Sequence, residues 1–448
     1  MKTHKVCICG VGYVGLTLAT VMADKGFEVV GVEIKPDVVE SLNKGEPHFH
    51  EAGLREIFRR HINRNLRIYS TVPDEIFDAY VITVGTPLKK GAKVPELEFI
   101  RKAAGEISRH LISGNLVILR STVSIGTSRN VVLPVLQGAC PDISLAFCPE
   151  RTLEGKALEE LKYLPQIIGG LDTESVEKAE DIFRNITPTV IKVSSLETAE
   201  MIKLLDNSYR DTSFAFANEV AEICAHAGID AQEIIKSGKI YYPRTNIPVP
   251  GYVGGACLEK DPHILIHSME KYGYTPKLIK QSREIHENLP ADTVDRVNYL
   301  LEQCGKEPED CKVFLTGLAF KGEPETDDLR GSPALIFIEA LQKSRIGKLQ
   351  VHDFVVKDNA IRALGIEPVP MKEGFRDSDA VIIANNHNGY RKLDIINLVN
   401  SMKKPAILYD SWRLFDKAMF ADKKDIIYEG LGFRSSQPES NQGVVSDE

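Results

Sequence analysis

The sequence predicts an α/β protein: two doubly wound, parallel-sheet domains joined by one long central helix. Three observations predict it. Short apolar runs rich in Val, Ile and Leu alternate with amphipathic stretches in both halves of the chain, as strands do with crossover helices. The first run leads directly into Gly10-Val-Gly12-Tyr-Val-Gly15, a spacing suited to a strand-to-helix turn. Between Ser195 and Gly228 lies a run with helical periodicity and without Pro or Gly.

Taken in order, VCIC (6–9), EVVGVE (28–33), AYVITV (79–84), LVILRS (116–121), ISLAFC (143–148) and QIIGG (166–170) read as buried strands of a first domain, residues 1–194. A central region, 195–305, opens with the long run, where Ile202, Leu205, Phe216, Val220 and Ile223 recur at helical spacings. A helix of about 30 residues spans about 45 Å, long enough to serve as a spine between domains or subunits. A Pro- and Gly-rich loop follows at 242–255. Alternation resumes in a third region, 306–433, with KVFLTGLAF (312–320), KLQVHDF (348–354), DAVIIANN (379–386) and PAILYDS (405–411). The polar stretch 434–448 reads as a disordered tail.

Composition excludes several classes. The 448 residues carry 55 Lys+Arg against 63 Asp+Glu, a formal charge of −8, where nucleic-acid binders usually present a basic face. Eight Cys are too few for a disulfide scaffold, and none has the ligand spacing of a zinc site, so no metal is expected. Reduced thiols point to the cytoplasm. The uncharged run Val6–Ala23 mimics a targeting segment or a span, but its early glycines suit a turn, and no other run approaches the roughly 18 apolar residues a span needs.

The glycine run has a specific physical use. Gly10 permits the tight turn, Gly12 lets backbone N–H groups approach a pyrophosphate, and Gly15 lets helix and strand pack closely. The phosphate would sit on the helix's positive end. Glu33 ends the second strand, where a carboxylate accepts from adenosine ribose hydroxyls. An acid there repels a 2′-phosphate, so the expected cofactor is NAD; Lys35, two residues on, is the one feature pointing the other way.

GYVGGACLEKDP (251–262) holds the strongest candidate for chemistry. Cys257 follows two glycines and precedes a helical run, where the helix dipole and Lys260 favour thiolate. Asp261, four residues on, shares its face if the helix starts early. Nucleophile beside base is one reading; a small buried Cys beside a cap is the other. Lys203 and Asn207, four apart on the long helix, project together and can stabilise an oxyanion, or form an ordinary solvated stripe. CPERTLEGKALEEL (148–161) begins at a strand end, where α/β sheets place ligand loops; Glu150 and Glu154 there are candidates for acid–base work or plain surface acids. Thr122 closes another strand and could hold a water or hydroxyl.

The ordered motifs GVGYVGL, VGTP (84–87), STVSIGT (121–127), PERTLEGKAL (149–158), EMIKLLDNSYRD (200–211), GYVGGACLEKDP and GLAFKGEPETDDLRGSPA (317–334) together resemble the UDP-glucose/GDP-mannose dehydrogenase family from Val6 to about Phe415. The resemblance implies oxidation of a nucleotide sugar's C6 alcohol to a carboxylate by two NAD⁺, with Cys257 forming a thiohemiacetal and then a thioester. It makes Lys203 and Asn207 stabilisers of the C6 oxygen, Asp261 with Thr122 and a water part of the base system, and Glu154 the residue for hydrolysis. It places Tyr13, Val14, Gly85, Thr86, Thr122, Lys35 and Arg330 with the glycines and Glu33 on the cofactor. It gives substrate contacts to Glu150, Arg151, Lys321 and Arg413. Arg244 would contact the sugar nucleotide, often from the neighbouring subunit, and Tyr252 and Gly254 would shape the loop over the sugar. A homodimer built on the long helix is implied as well. Glu259 stands where the family commonly has Pro, and could oppose thiolate formation. PGYVGGAC and LPQIIGG are similar to the branch acting on UDP-N-acetylhexosamines, with UDP-glucose the alternative substrate.

Overall fold

The computed structural model describes residues 4–435. The tail expected at 434–448 lies outside them except for Arg434 and Ser435. The chain divides into two compact units. The first holds residues up to Tyr209 with Lys260–Pro276, and the second holds Arg210–Glu259 with the chain from Lys277 onward. The central region expected at 195–305 is thus shared between them.

The first unit is built on an eight-stranded sheet. Its strands are β1 (Lys5–Cys9), β2 (Glu28–Val32), β3 (Leu66–Tyr69), β4 (Ala79–Ile82), β5 (Leu116–Leu119), β6 (Ser144–Phe147), β7 (Gln166–Gly170) and β8 (Val190–Val193). Their order is β3-β2-β1-β4-β5-β6-β7-β8. β1 pairs with β2 on one side and β4 on the other, so the strand order reverses beside Gly10, where doubly wound sheets bind ligands. Both faces are covered, which is why the strands are apolar throughout. Val6, Ile8, Val81 and Ile118 fill one core, and Cys7, Cys9, Tyr80 and Ile82 the other.

One expectation needs correction. The sheet is not parallel throughout, because β6 and β7 pair antiparallel. The connection between them is a loop and the seven-residue helix Ala157–Tyr163, and β7 returns so that its last two residues, Gly169 and Gly170, lie opposite the last two of β6. β7 and β8 are parallel to each other, so the sheet is mixed at this margin.

The second unit carries a five-stranded, wholly parallel sheet of β9 (Lys312–Thr316), β10 (Lys348–His352), β11 (Ala380–Ile383), β12 (Ala406–Asp410) and β13 (Ile426–Glu429), in the order β10-β9-β11-β12-β13. The reversal falls between β9 and its two neighbours, so GLAFK follows a strand at the switch point. The helix Leu196–Ala227, 32 residues long, matches the predicted run, and at 1.5 Å per residue it spans about 48 Å. It is continuous through Tyr209, where the first unit ends. None of the eight cysteines, all among the described residues, is in a disulfide.

A second long helix, Lys277–Gln303, buries His286 in the second unit. Its Nε2 lies 2.9 Å from the Asp211 carbonyl, so the neutral imidazole donates there, and Nδ1 faces the Asn218 amide. Burial, reinforced by the Arg283 charge and opposed by the Asp211 carbonyl and Glu287, lowers its pKa from the ordinary 6.5 to about 4. The unfolded chain takes up this proton near pH 6.5, whereas the folded one resists it until about pH 4. Stability therefore falls as pH is lowered through that window, by about 3 kcal/mol at full extent. Melting temperature followed from pH 7 to pH 4 should drop, and His286→Gln should flatten the curve.

Candidate active site

Chemistry-bearing residues gather in each unit. In the first, Gly10 turns the chain at φ +94°, and an added Cβ would lie 2.9 Å from the Val84 backbone nitrogen. Gly15 packs against the Gly10 carbonyl, so the helix Tyr13–Asp24 starts tight on β1. A Cβ on Gly12 would meet nothing within 4 Å, so the approach to the backbone amides at the start of the helix is open. Gly85 is likewise open, and Val14 lies in the helix's first turn. Glu33 is half-buried at the end of β2, and its carboxylate accepts from the Lys35 backbone N–H at 3.2 Å, while Lys35 itself is exposed. This set fits a dinucleotide. The Thr86 hydroxyl donates to the Thr122 carbonyl at 2.6 Å, so Thr86 fixes the Thr122 loop.

Past β6, Glu150 is buried among donors. Arg120 reaches one oxygen at 2.6 Å, and the N–H groups of Arg151 and Thr152 reach the other at 2.8 and 2.9 Å. Its burial alone would raise its pKa, but Arg120, the Thr152 N–H and the charge of Lys203 hold the carboxyl below the usual range. A carboxylate saturated in this way shapes the loop and is poorly suited to proton transfer. Arg151 is drawn to Asp206 at 3.3 Å. Glu154 sits on the turn before Gly155, half-buried.

Lys203 and Asn207 are both buried on the long helix. The Asn207 amide donates to Asp261 at 2.6 Å, and the Lys260 ammonium reaches the other Asp261 oxygen at the same distance. Asp261 is wholly buried, so this amide and ammonium are what make its charge tolerable. Of the predicted Lys203–Asn207 pair, Asn207 is thus bonded to Asp261, which opens the helix Asp261–Glu270.

In the second unit, Cys257 lies exposed on the four-residue helix Gly255–Leu258. The single face expected for Cys257 and Asp261 is not formed, because the helix ends at Leu258 and another begins at Asp261. The loop's glycines are needed for packing. A Cβ on Gly255, at φ +93°, would lie 2.6 Å from the Phe320 ring, and a Cβ on Gly254 would run into Gly331 and Pro333. Gly251 abuts Trp412 and exchanges two hydrogen bonds with the Asn218 amide, at 2.9 and 3.0 Å. The motif at 317–334, together with Asn218 and Trp412, therefore clamps the cysteine turn. Arg283 adds a hydrogen bond to the Leu258 carbonyl at 3.2 Å, itself paired with buried Asp211 at 2.6 Å. Glu259 is exposed, with its carboxylate beside Gly331.

Other expected substrate residues fare differently. Tyr252 is buried: its hydroxyl bonds Thr293 and Ser411, and its ring packs edge-on against Phe337. Its side chain is a core element, so any part it has in a substrate site comes through its backbone. Arg413 is spent internally on Asp230 at 3.0 Å and over the Phe433 ring. Arg244 is exposed, its guanidinium over Tyr242. Lys321 is half-buried, and Arg330 is exposed beside Asp328.

Three family models match in order: the NAD binding domain of the UDP-glucose/GDP-mannose dehydrogenase family at residues 4–187, its central domain at 197–288, and its UDP binding domain at 314–417. The chain belongs to this family. Its members are NAD-dependent nucleotide-sugar dehydrogenases. The UDP-N-acetyl-D-mannosamine dehydrogenase of Campylobacter jejuni is 33% identical over 405 residues, covering 86% of this chain and 96% of that one. Among solved structures, a UDP-D-ManNAc dehydrogenase from Pyrococcus horikoshii superposes with a TM-score of 0.87 at 28% identity, covering 96% of this chain and 99% of that one. A UDP-glucose dehydrogenase from Pyrobaculum islandicum gives 0.84 at 27%, covering 96% and 98%. The backbone alone therefore does not separate the two sugars.

Arg120, Asn218 and Arg283 support the site without a signal in the sequence. Each is a buried or half-buried polar residue whose partner lies far along the chain, and a lone Arg, Asn or Glu in a sequence carries no spacing signal.

Proposed function

We propose that this dehydrogenase oxidises the C6 hydroxymethyl of a UDP-N-acetylhexosamine, UDP-N-acetylmannosamine or UDP-N-acetylglucosamine, to the uronic acid for surface polysaccharide synthesis. The observation that carries the reaction is the buried Asn207–Asp261–Lys260 constellation, together with an exposed Cys257 held in a glycine-clamped turn. NAD⁺ would supply the oxidising power, one molecule taking a hydride from the C6 alcohol and a second molecule, bound in its place, taking one from the Cys257 thiohemiacetal. The glycine loop and Glu33 hold it. Asp261, with Thr122 and a water, takes the proton of the C6 hydroxyl. The Cys257 sulfur adds to the C6 aldehyde, which splits one hard oxidation into easier steps. Lys203 and Asn207 hold the negative charge that develops on the C6 oxygen. Glu154 directs water onto the thioester, releasing the carboxylate and restoring the thiol.

The choice of an N-acetylated sugar is supported by the relatives' names and by the loop sequences around Gly251 and Gln166; UDP-glucose is the rival. Incubation with a panel of sugar nucleotides, with products identified by mass, decides between them. Preference for UDP-glucose would overturn the branch assignment.

A homodimer is supported by the long helix, where Leu205, Tyr209, Phe216 and Ile223 are exposed at spacings that repeat down one side. A cytoplasmic setting is supported by the eight free thiols. Among the described residues, no helix is long and apolar enough to cross a membrane.

Glu33→Ala should raise the KM for NAD about tenfold, the scale of one lost hydrogen bond to a charged group, with kcat little changed. An unchanged KM would mean the ribose contact is misassigned.

A further inference from the structure

Glu51 lies outside every motif named above, in the segment before the helix Leu54–His61, and is buried. Its carboxylate reaches two loops at once. One oxygen accepts from the Tyr13 hydroxyl and from the Gly155 N–H at 2.7 Å. The other accepts from the Ala157 N–H at 2.9 Å. Tyr13 belongs to the glycine loop, and its ring rests 4.9 Å from Phe49. Gly155, at φ +91°, follows Glu154 directly, and its N–H also lies 3.1 Å from the Tyr13 oxygen. Three donors thus converge on one buried carboxylate, two from the Glu154 turn and one from the cofactor loop. Burial and Glu51 together push the Tyr13 pKa upward, so it stays a phenol and donates.

We infer that Glu51 is a positioning residue, a strut that couples the cofactor loop to the turn carrying Glu154, so that cofactor seating and the hydrolysis step are set together. The inference rests on the thioester reading above. An anion is needed at this place because all three neighbours are donors. In Glu51→Gln one of the two terminal atoms becomes a donor itself and must face at least one N–H or O–H. The Glu154 turn then loosens while the residue's size is kept.

The test uses steady-state kinetics and acid-quenched mass spectrometry of the full chain, with Glu154→Gln as the reference for a stalled thioester. For Glu51→Gln, kcat is expected to fall about tenfold, the scale of a lost charge-assisted hydrogen bond, with the acyl adduct accumulating on Cys257. The KM for NAD should rise severalfold. Tyr13→Phe should raise the same KM, and the double variant should raise it no further than Glu51→Gln alone, because the two residues act through one contact. A loss of melting temperature with wild-type KM for NAD and no adduct would reduce Glu51 to a structural residue and overturn the proposal. So would KM effects that multiply in the double variant. If Glu154→Gln itself accumulates no adduct, the thioester reading fails, and the strut is judged on the KM comparison of the single and double variants.

Discussion

Cys257→Ser is expected to cut kcat by about 10³-fold or more, the scale at which enzymes lose a covalent nucleophile, while leaving NAD binding intact. Serine is nearly isosteric, and the site gives no reason for the turn to move. The glycines at 251, 254 and 255 are fixed by Trp412, Pro333 and Phe320, and Arg283 holds the Leu258 carbonyl. What changes is the nucleophile, since a hydroxyl has almost no anion at neutral pH where a thiol has some. The exposure of Cys257 sets it apart from Cys7, Cys9, Cys140, Cys148, Cys224 and Cys311, all buried. Burial raises the Cys148 pKa to about 12, so that thiol is inert. Alkylation by iodoacetamide at pH 7.5 should therefore fall first on Cys257 and track loss of activity. Retained turnover in Cys257→Ser would refute the nucleophile.

The second large effect is at Lys203. Lys203→Ala should lower kcat by about 10²–10³-fold, the loss measured when one oxyanion donor is removed. Its buried position means the ammonium works in a low-dielectric setting, where a charge is worth more than in water. The same charge helps keep Glu150 ionised, which gives the substitution a second route, through the loop, besides the chemistry. Glu150→Gln separates the two: it breaks the Arg120 clamp without touching the ammonium, and should raise the KM for the sugar nucleotide more than it lowers kcat. A Lys203→Ala enzyme with near-normal kcat would remove Lys203 from the chemistry.

Much of this was legible in the sequence because it depends on local periodicity. The long helix, the glycine turn, Glu33 at a strand end and the Lys203–Asn207 spacing are all set within a few residues of one another, and the structure reproduces them. Three strands went unread. LRIY at 66–69 is half-buried, VIKV at 190–193 has no buried residue, both mix charge into the run, and IIYE at 426–429 is short and flanked by charge. The antiparallel turn at β7 also escaped, since an apolar strand reads the same in either direction. The break after Leu258 was hidden for another reason: CLEKDP has no glycine and only one proline, which sits where a helix readily begins. Tyr252 and Arg413 drew attention as polar residues in motif positions, yet Thr293, Ser411 and Asp230, which claim them, come from elsewhere in the chain.

The central claim is a four-electron oxidation carried by one active-site thiol. Its most direct test is the stoichiometry of NADH formed per sugar nucleotide consumed, with limiting substrate and excess NAD⁺. The account predicts two NADH and a uronic acid for each molecule consumed. One NADH per molecule, with an aldehyde or ketone as the product, would contradict it.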